Sequence, residues 1–237
     1  MAGTDASLFC HESLLHTYVR EAFKLENGMI NLILRHIAEK GESLTLQITR
    51  CAWVNEDPLY IAYHDEEWGK PLYDDRKLFE LLMLEGMQAG LSWYTVLKKR
   101  EHFREVFDGF DPEKIVLYDE AKIEALMQDT GIIRNRLKIQ AVIHNAAVFQ
   151  EISREAGGFA KYLWSFTGGK PVINEWATRS EVPATSPQSD QMSKALKKKG
   201  MKFVGSTICY AFMQASGMVD DHTTDCFCHS SKRGSGI

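Results

Sequence analysis

The sequence predicts an all-α fold. Apolar residues recur at three- and four-residue spacing along successive segments, Ser, Asp and Asp-Pro stand where those segments begin, and glycines stand where they end. A β-prone run, Leu44 to Ile48, is short. With 237 residues, 44% of them hydrophobic and 25% charged, the chain is long enough for one large or two small globular domains with a real core.

In chain order, Leu14, Leu15, Tyr18, Val19, Ala22 and Phe23, then Ile30, Ile33, Leu34 and Ile37, predict one or two amphipathic helices between Ser13 and about Glu39. Asp74 or Asp75 caps a helix bearing Leu78, Phe79, Leu81, Leu82 and Leu84 that should stop near Gly86. Gly86 and Gly90 then frame a turn, and Ser92 caps a helix with Trp93, Val96 and Leu97 that ends in Lys98, Lys99 and Arg100. A further helix closes over Phe103 to Phe110, and Asp111-Pro112 starts another as N-cap and first residue. Gly131 is expected in a tight turn between two helices, the second carrying Arg134, Arg136 and Lys138 near its start. Such a turn is a common connector, although backbone N–H groups at a glycine hairpin and helix N-terminus also suit a phosphate. Residues 174–190 are polar, contain Pro183 and Pro187, and read as a surface loop. Ser189 and Asp190 begin a helix ending at Gly200, whose Lys197, Lys198 and Lys199 belong to the densest positive cluster of the chain. A nearly all-apolar core helix runs from Ser206 or Thr207 to Gly217.

Chemistry concentrates in Cys51–Gly69. That stretch holds Cys51, Trp53, Tyr60, Tyr63, His64 and Trp68, interleaved with five acidic side chains. A thiol and an imidazole supply half of a four-ligand metal shell. His222 and Cys226, separated by three residues, offer the other half, and Cys228 with His229 is an alternative pair. Glu85, flanked by Leu84 and Met87, invites burial, which is costly for a carboxylate unless it meets a cation or donors. The formal net charge of −4 means that contact with a polyanion must rest on local basic clusters. Five cysteines without a secretory leader argue against a disulfide framework and for a reducing, cytoplasmic compartment. No apolar run approaches the roughly 20 residues of a membrane-spanning helix.

Four stretches, CAWVNEDPLYIAYHDEEWG, LEGMQAGLSWYTVLKKR, GIIRNRLKIQAVIHNA and KALKKKGMKFVGSTICYAFMQASGMVDDH, together resemble the bacterial 3-methyladenine DNA glycosylase I family. The resemblance spans about Arg50 to Cys228, leaving 1–49 as a helical extension and 230–237 as a tail beyond a glycosylase domain at 50–229. It implies a helix-hairpin-helix fold whose two ends are joined by a structural Zn²⁺ on Cys51, His64, His222 and Cys226. It also implies a base pocket of Glu85 with Trp53, Tyr60, Tyr63 and Trp93. The expected partner is double-stranded DNA containing alkylated adenine, with free 3-methyladenine as product, and the protein is expected to act as a monomer. DNA contacts are expected from Gly131, Arg134, Lys138, Lys197, Lys198 and Lys199, with Leu91 as the wedge. The segment from Gly131 to Asn145 carries no carboxylate, which fits the 3-methyladenine-specific branch of that superfamily. The rival reading is a metal-stabilised helical DNA-binding module without catalysis, which has no need of Glu85 buried among aromatic rings.

Overall fold

The computed structural model describes residues 48–232, and the helices expected between Ser13 and Glu39, with most of the run at 44–48, lie outside them. Aspartate and serine caps start most of the helices. Helix α1 (Pro58–Glu66) begins where the Asp57 carboxylate accepts the Leu59 N–H and Pro58 fills the first position. Helix α2 (Asp75–Gln88) is capped by Asp74, and α3 (Trp93–Leu97) by Ser92. Helix α4 (Arg100–Val106) runs into a 3₁₀ turn at Asp108–Phe110, followed by α5 (Pro112–Ile115), α6 (Glu120–Gln128) and the long α7 (Arg136–Ala156). Helices α8 (Phe159–Trp164), α9 (Pro187–Lys198) and α10 (Ser206–Ala215) complete the helical part.

Helix α2 is the centre of the described domain. Leu78, Phe79, Leu82, Met83, Leu84 and Met87 are all buried, and the helix packs on α3, α7, α8 and α10. Each such side chain contributes about 1.5–3 kcal/mol by leaving water. Its first residue also organises a neighbour: the Asp75 carboxylate accepts the N–H groups of Phe159 and Ala160 at 3.0 and 2.7 Å, closing the start of α8.

Four sequence expectations are corrected here. Helix α2 does not stop at Gly86 but continues to Gln88, so Glu85 sits in its last turn rather than beside a turn. Phe203 lies against that turn, where a Cβ on Gly86 would stand in ordinary contact at 3.4 Å from the Phe203 Cβ. Helix α3 ends at Leu97, and Arg100 already belongs to α4, which stops at Val106 rather than Phe110. Helix α9 begins at Pro187, because Ser186 and Ser189 exchange side-chain and backbone hydrogen bonds in a capping box and proline suits the first turn. Finally, the fold is mostly rather than wholly helical: β1 (Val172–Ile173) pairs in parallel with β2 (Val219–Asp220), tying the segment after α8 to the segment after α10. Among the described residues no helix is long and apolar enough to cross a membrane.

Candidate active site

A pocket of about 310 Å³ opens beside the C-terminal turn of α2. Tyr60 and Tyr63 reach it from α1, being three apart and so on one helical face. Trp93 reaches it from the first turn of α3, and Glu85 and Gln88, again three apart, from α2. Trp53 and Trp68, on either side of α1, complete an aromatic wall: Trp53 lies 5.1 Å from Tyr60 and 5.0 Å from Trp68 between ring centroids, and Tyr63 lies 5.4 Å from Trp93.

Two buried carboxylates line this pocket, and they differ in one respect. Asp221 accepts from Asn174 Nδ2, Trp176 Nε1, Tyr210 Oη and Gln214 Nε2, each at 2.7 Å. Glu85, only 3% exposed, has an Oε2 with no hydrogen-bond partner, and the Trp93 indole N–H is buried without one as well. Two residues that line the pocket thus each carry a buried polar atom without a partner, one an acceptor and one a donor. Burial alone pushes the Glu85 carboxyl from an ordinary 4.5 up to about 8, so the empty pocket holds it largely neutral at pH 7.

A consequence for stability follows from the direction of that shift. The folded value lies above the unfolded one, so the contribution of Glu85 is fully present below about pH 4.5 and is lost as pH rises towards and through about 8. Glu85→Gln should accordingly melt at a higher temperature than wild type at pH 9, with the difference shrinking as pH falls and vanishing below about pH 4. Thermal unfolding across that pH range checks this, and parallel curves for the two proteins would contradict it.

Behind the aromatic wall lies a second cluster. One ligand atom each from Cys51, His64, His222 and Cys226, all buried, falls within 4.8 Å of the others, making a group that can hold a metal ion. Cys51 Sγ is 3.4 Å from His222 Nδ1, and Cys226 Sγ is 3.4 Å from His64 Nε2 and 3.5 Å from His222 Nδ1. The outer ring nitrogens are occupied: His64 Nδ1 lies 2.7 Å from Asp65 Oδ1, itself gripped by Arg50, and His222 Nε2 lies 3.1 Å from the Trp68 carbonyl. Hydrogen bonding to Cys228 and then Cys51 pulls the Cys226 thiol below its ordinary value, which favours the form that binds metal. Gly69 is needed beside this cluster, because its φ of +73° is unfavourable for other residues and a Cβ would sit 2.9 Å from His222 Nε2. Cys228 and His229, the alternative pair, do not join the cluster together; His229 Nε2 instead lies 3.0 Å from the Asn174 carbonyl.

With this geometry in hand, comparison with known proteins is decisive. The model of the methyladenine glycosylase family matches residues 53–229. The chain belongs to the methyladenine glycosylase family. It is 53% identical over 184 residues to DNA-3-methyladenine glycosylase 1 of Escherichia coli (strain K12), covering 78% of this chain and 98% of that one. It resembles a crystal structure of 3-methyladenine DNA glycosylase I with 56% identity and a TM-score of 0.75, covering 76% of this chain and 100% of that chain. The Staphylococcus aureus 3-methyladenine DNA glycosylase I, whose structure is described as the basis of 3-methyladenine recognition, is 40% identical with a TM-score of 0.73, covering 76% and 95% of the two chains.

Within this family member, Trp53, Tyr60, Tyr63, Glu85 and Trp93 share one pocket, and Cys51, His64, His222 and Cys226 share one cluster. The residues expected on DNA are more scattered in character. Leu91 is 43% exposed, and Arg134, Lys197 and Lys198 are exposed. Lys138 is not on the surface: it is 7% exposed, and its Nζ donates to the carbonyls of Met87 at 2.9 Å and Ala89 at 2.7 Å, so the expected phosphate contact is corrected. Lys199 is engaged by Glu151 and Glu155, which lowers its value as a free cation. Gly131 N–H already donates to Asp129 Oδ1 at 2.7 Å, and a Cβ on Gly131 would lie 2.1 Å from His102 Cδ2, so this glycine serves the packing of the turn. Arg179, Val182, Pro183, Gln214 and Asp221 complete the pocket but were not expected there. The stretch at 174–186 looks only polar in the sequence, and nothing local reveals that it folds back over the aromatic wall.

Proposed function

We propose that this chain is a monofunctional DNA glycosylase that extrudes 3-methyladenine from alkylated duplex DNA and hydrolyses its N-glycosyl bond. The observation that carries the reading is the unpaired carboxyl of Glu85 at 3% exposure inside an aromatic pocket. A DNA-binding module without catalysis has no use for that arrangement, which costs stability. A base methylated at N3 is cationic, so its glycosidic bond is already weak and recognition supplies much of the rate. Aromatic faces stack on the cation while Glu85 ionises and accepts from its edge. Trp93, whose ring lines the same pocket and whose N–H has no partner, offers a donor to a ring nitrogen. Among the described residues that line the pocket there is no lysine, which supports base release without the amine chemistry of strand cleavage. Incubation with alkylated DNA should release free 3-methyladenine and leave abasic sites. Binding of that DNA without base release would decide for the rival module.

The cluster of two thiols and two imidazoles suits Zn²⁺ in a structural role. A tetrahedral ion with Zn–S of about 2.3 Å and Zn–N of about 2.0–2.1 Å sets S···N edges of roughly 3.6 Å. The observed separations of 3.4, 3.4 and 3.5 Å fit that edge. The carboxylate and carbonyl on the outer ring nitrogens are the partners such ligands take. Four protein donors would leave no place for water, so the ion would brace Trp53 and Trp68 rather than join the reaction.

For the grip on DNA, α6, the turn at 129–135 and α7 form the helix-hairpin-helix unit facing the phosphates, with Arg134 in its turn, Lys197 and Lys198 at the end of α9 as a second basic site, and Leu91 filling the vacated stack. Converting Lys197 and Lys198 to Ala should weaken DNA binding and flatten its salt dependence by about two, since each phosphate contact contributes close to one to the slope. An unchanged affinity and slope in a titration against salt would remove these lysines from the interface.

A further inference from the structure

Lys138 poses a question that the base pocket does not answer. It lies in the first turn of α7, directly after the 129–135 turn, and its ammonium is buried against the last carbonyls of α2. Burying a cation is expensive, and the negative end of a helix needs none: a neutral donor or a glycine cap serves as well, and Gly90, with φ of +82°, stands at that place. What the lysine adds is a fixed link between two elements far apart in sequence. On one side is the turn leading into α7. On the other is the four-residue connection 89–92, which joins the helix of Glu85 to the helix of Trp93 and carries the exposed Leu91. Further along the same helix, Asn145 does a parallel thing: its side chain accepts the Lys202 N–H at 2.8 Å and donates to the Lys202 carbonyl at 3.0 Å, holding the loop beside Phe203, which has a φ of +53°. One face of α7 thus holds both loops that flank the final turn of α2.

We propose that Lys138 is a positioning residue that couples the DNA-facing turn before α7 to the 89–92 connection, setting Leu91 at the height at which it displaces a base while Glu85 and Trp93 receive it. This rests on the glycosylase reading above. Burial holds the Lys138 ammonium below its ordinary value, a cost that its hydrogen bonds to the Met87 and Ala89 carbonyls offset in part.

The test compares two DNA substrates for each variant. In one, 3-methyladenine is paired within duplex; in the other it lies opposite an abasic gap, where little displacement is needed. Lys138→Met should lose about tenfold or more in single-turnover release from the paired substrate, the scale of a lost charge-assisted hydrogen bond. It should lose far less on the gapped substrate, and free 3-methyladenine should still quench its tryptophan fluorescence as in wild type. Lys138→Gln, which keeps a donor, should fall between and provides the answer if the Met variant folds poorly. Combining either with Leu91→Ala should cost no more than the larger single loss, because both act through one connection. Equal losses on both substrates, or fully additive losses with Leu91→Ala, would overturn the positioning role while leaving the glycosylase reading intact. A wild type that releases no base from either substrate would overturn the reading and the positioning role with it.

Discussion

Glu85→Gln is expected to weaken binding of the methylated base by about one to two powers of ten, the equivalent of a charge-assisted hydrogen bond of roughly 1.5–3 kcal/mol. The substitution mimics the neutral acid that the empty pocket already holds, so the fold should survive it. What is lost is the ability to become an anion when a cation arrives. In wild type at pH 7, binding of the cationic lesion should therefore be accompanied by release of close to one proton, because the carboxyl is held near 8 until the positive charge draws it down. The variant should release none. Calorimetry in buffers of different ionisation enthalpy measures this directly. A Gln variant that binds and excises as wild type does would assign selectivity to stacking and shape alone.

Cys226→Ser is expected to have the larger effect on stability. If the four-residue cluster holds Zn²⁺, a weaker ligand at its centre should lower metal content and melting temperature together. A loss of ~4 kcal/mol corresponds to roughly 10 °C or more for a domain of this size. A strong chelator should shift wild type in the same way, whereas Cys228→Ser should leave the metal in place. Full zinc occupancy in a Cys51→Ser, Cys226→Ser double variant would sink the ligand assignment.

How much of this was legible in the chain depends on the distance over which the information acts. Asp74, Ser92 and Asp111-Pro112 announce helix starts because a cap and the N–H group it meets are two or three residues apart. The aromatic and ligand residues stood out by type. By contrast, the inward turn of Lys138 depends on the carbonyls of Met87 and Ala89, 51 and 49 positions earlier in the chain. Lysine in a basic stretch has the same local signature whether it faces phosphate or a buried carbonyl. The contribution of Arg179 and Pro183 to the pocket is invisible for a related reason: the strand pairing of Val172 with Val219 that anchors their loop involves only two residues on each side.

The order in which the four residues of the Cys/His cluster are made has a consequence for how the enzyme comes into being during synthesis. Cys226 stands 162 positions after His64, and Cys51 stands 171 before His222, so the first pair leaves the ribosome long before the second exists. Closing a loop of that length costs entropy that only a late, strong contact offsets. Trp53 and Trp68, which flank the first pair, have no fixed wall to lean on until then. A nascent chain halted before His222 would carry Glu85, Trp93 and the whole of α2 and α7, yet lack half of the cluster and Thr223 of the pocket lining.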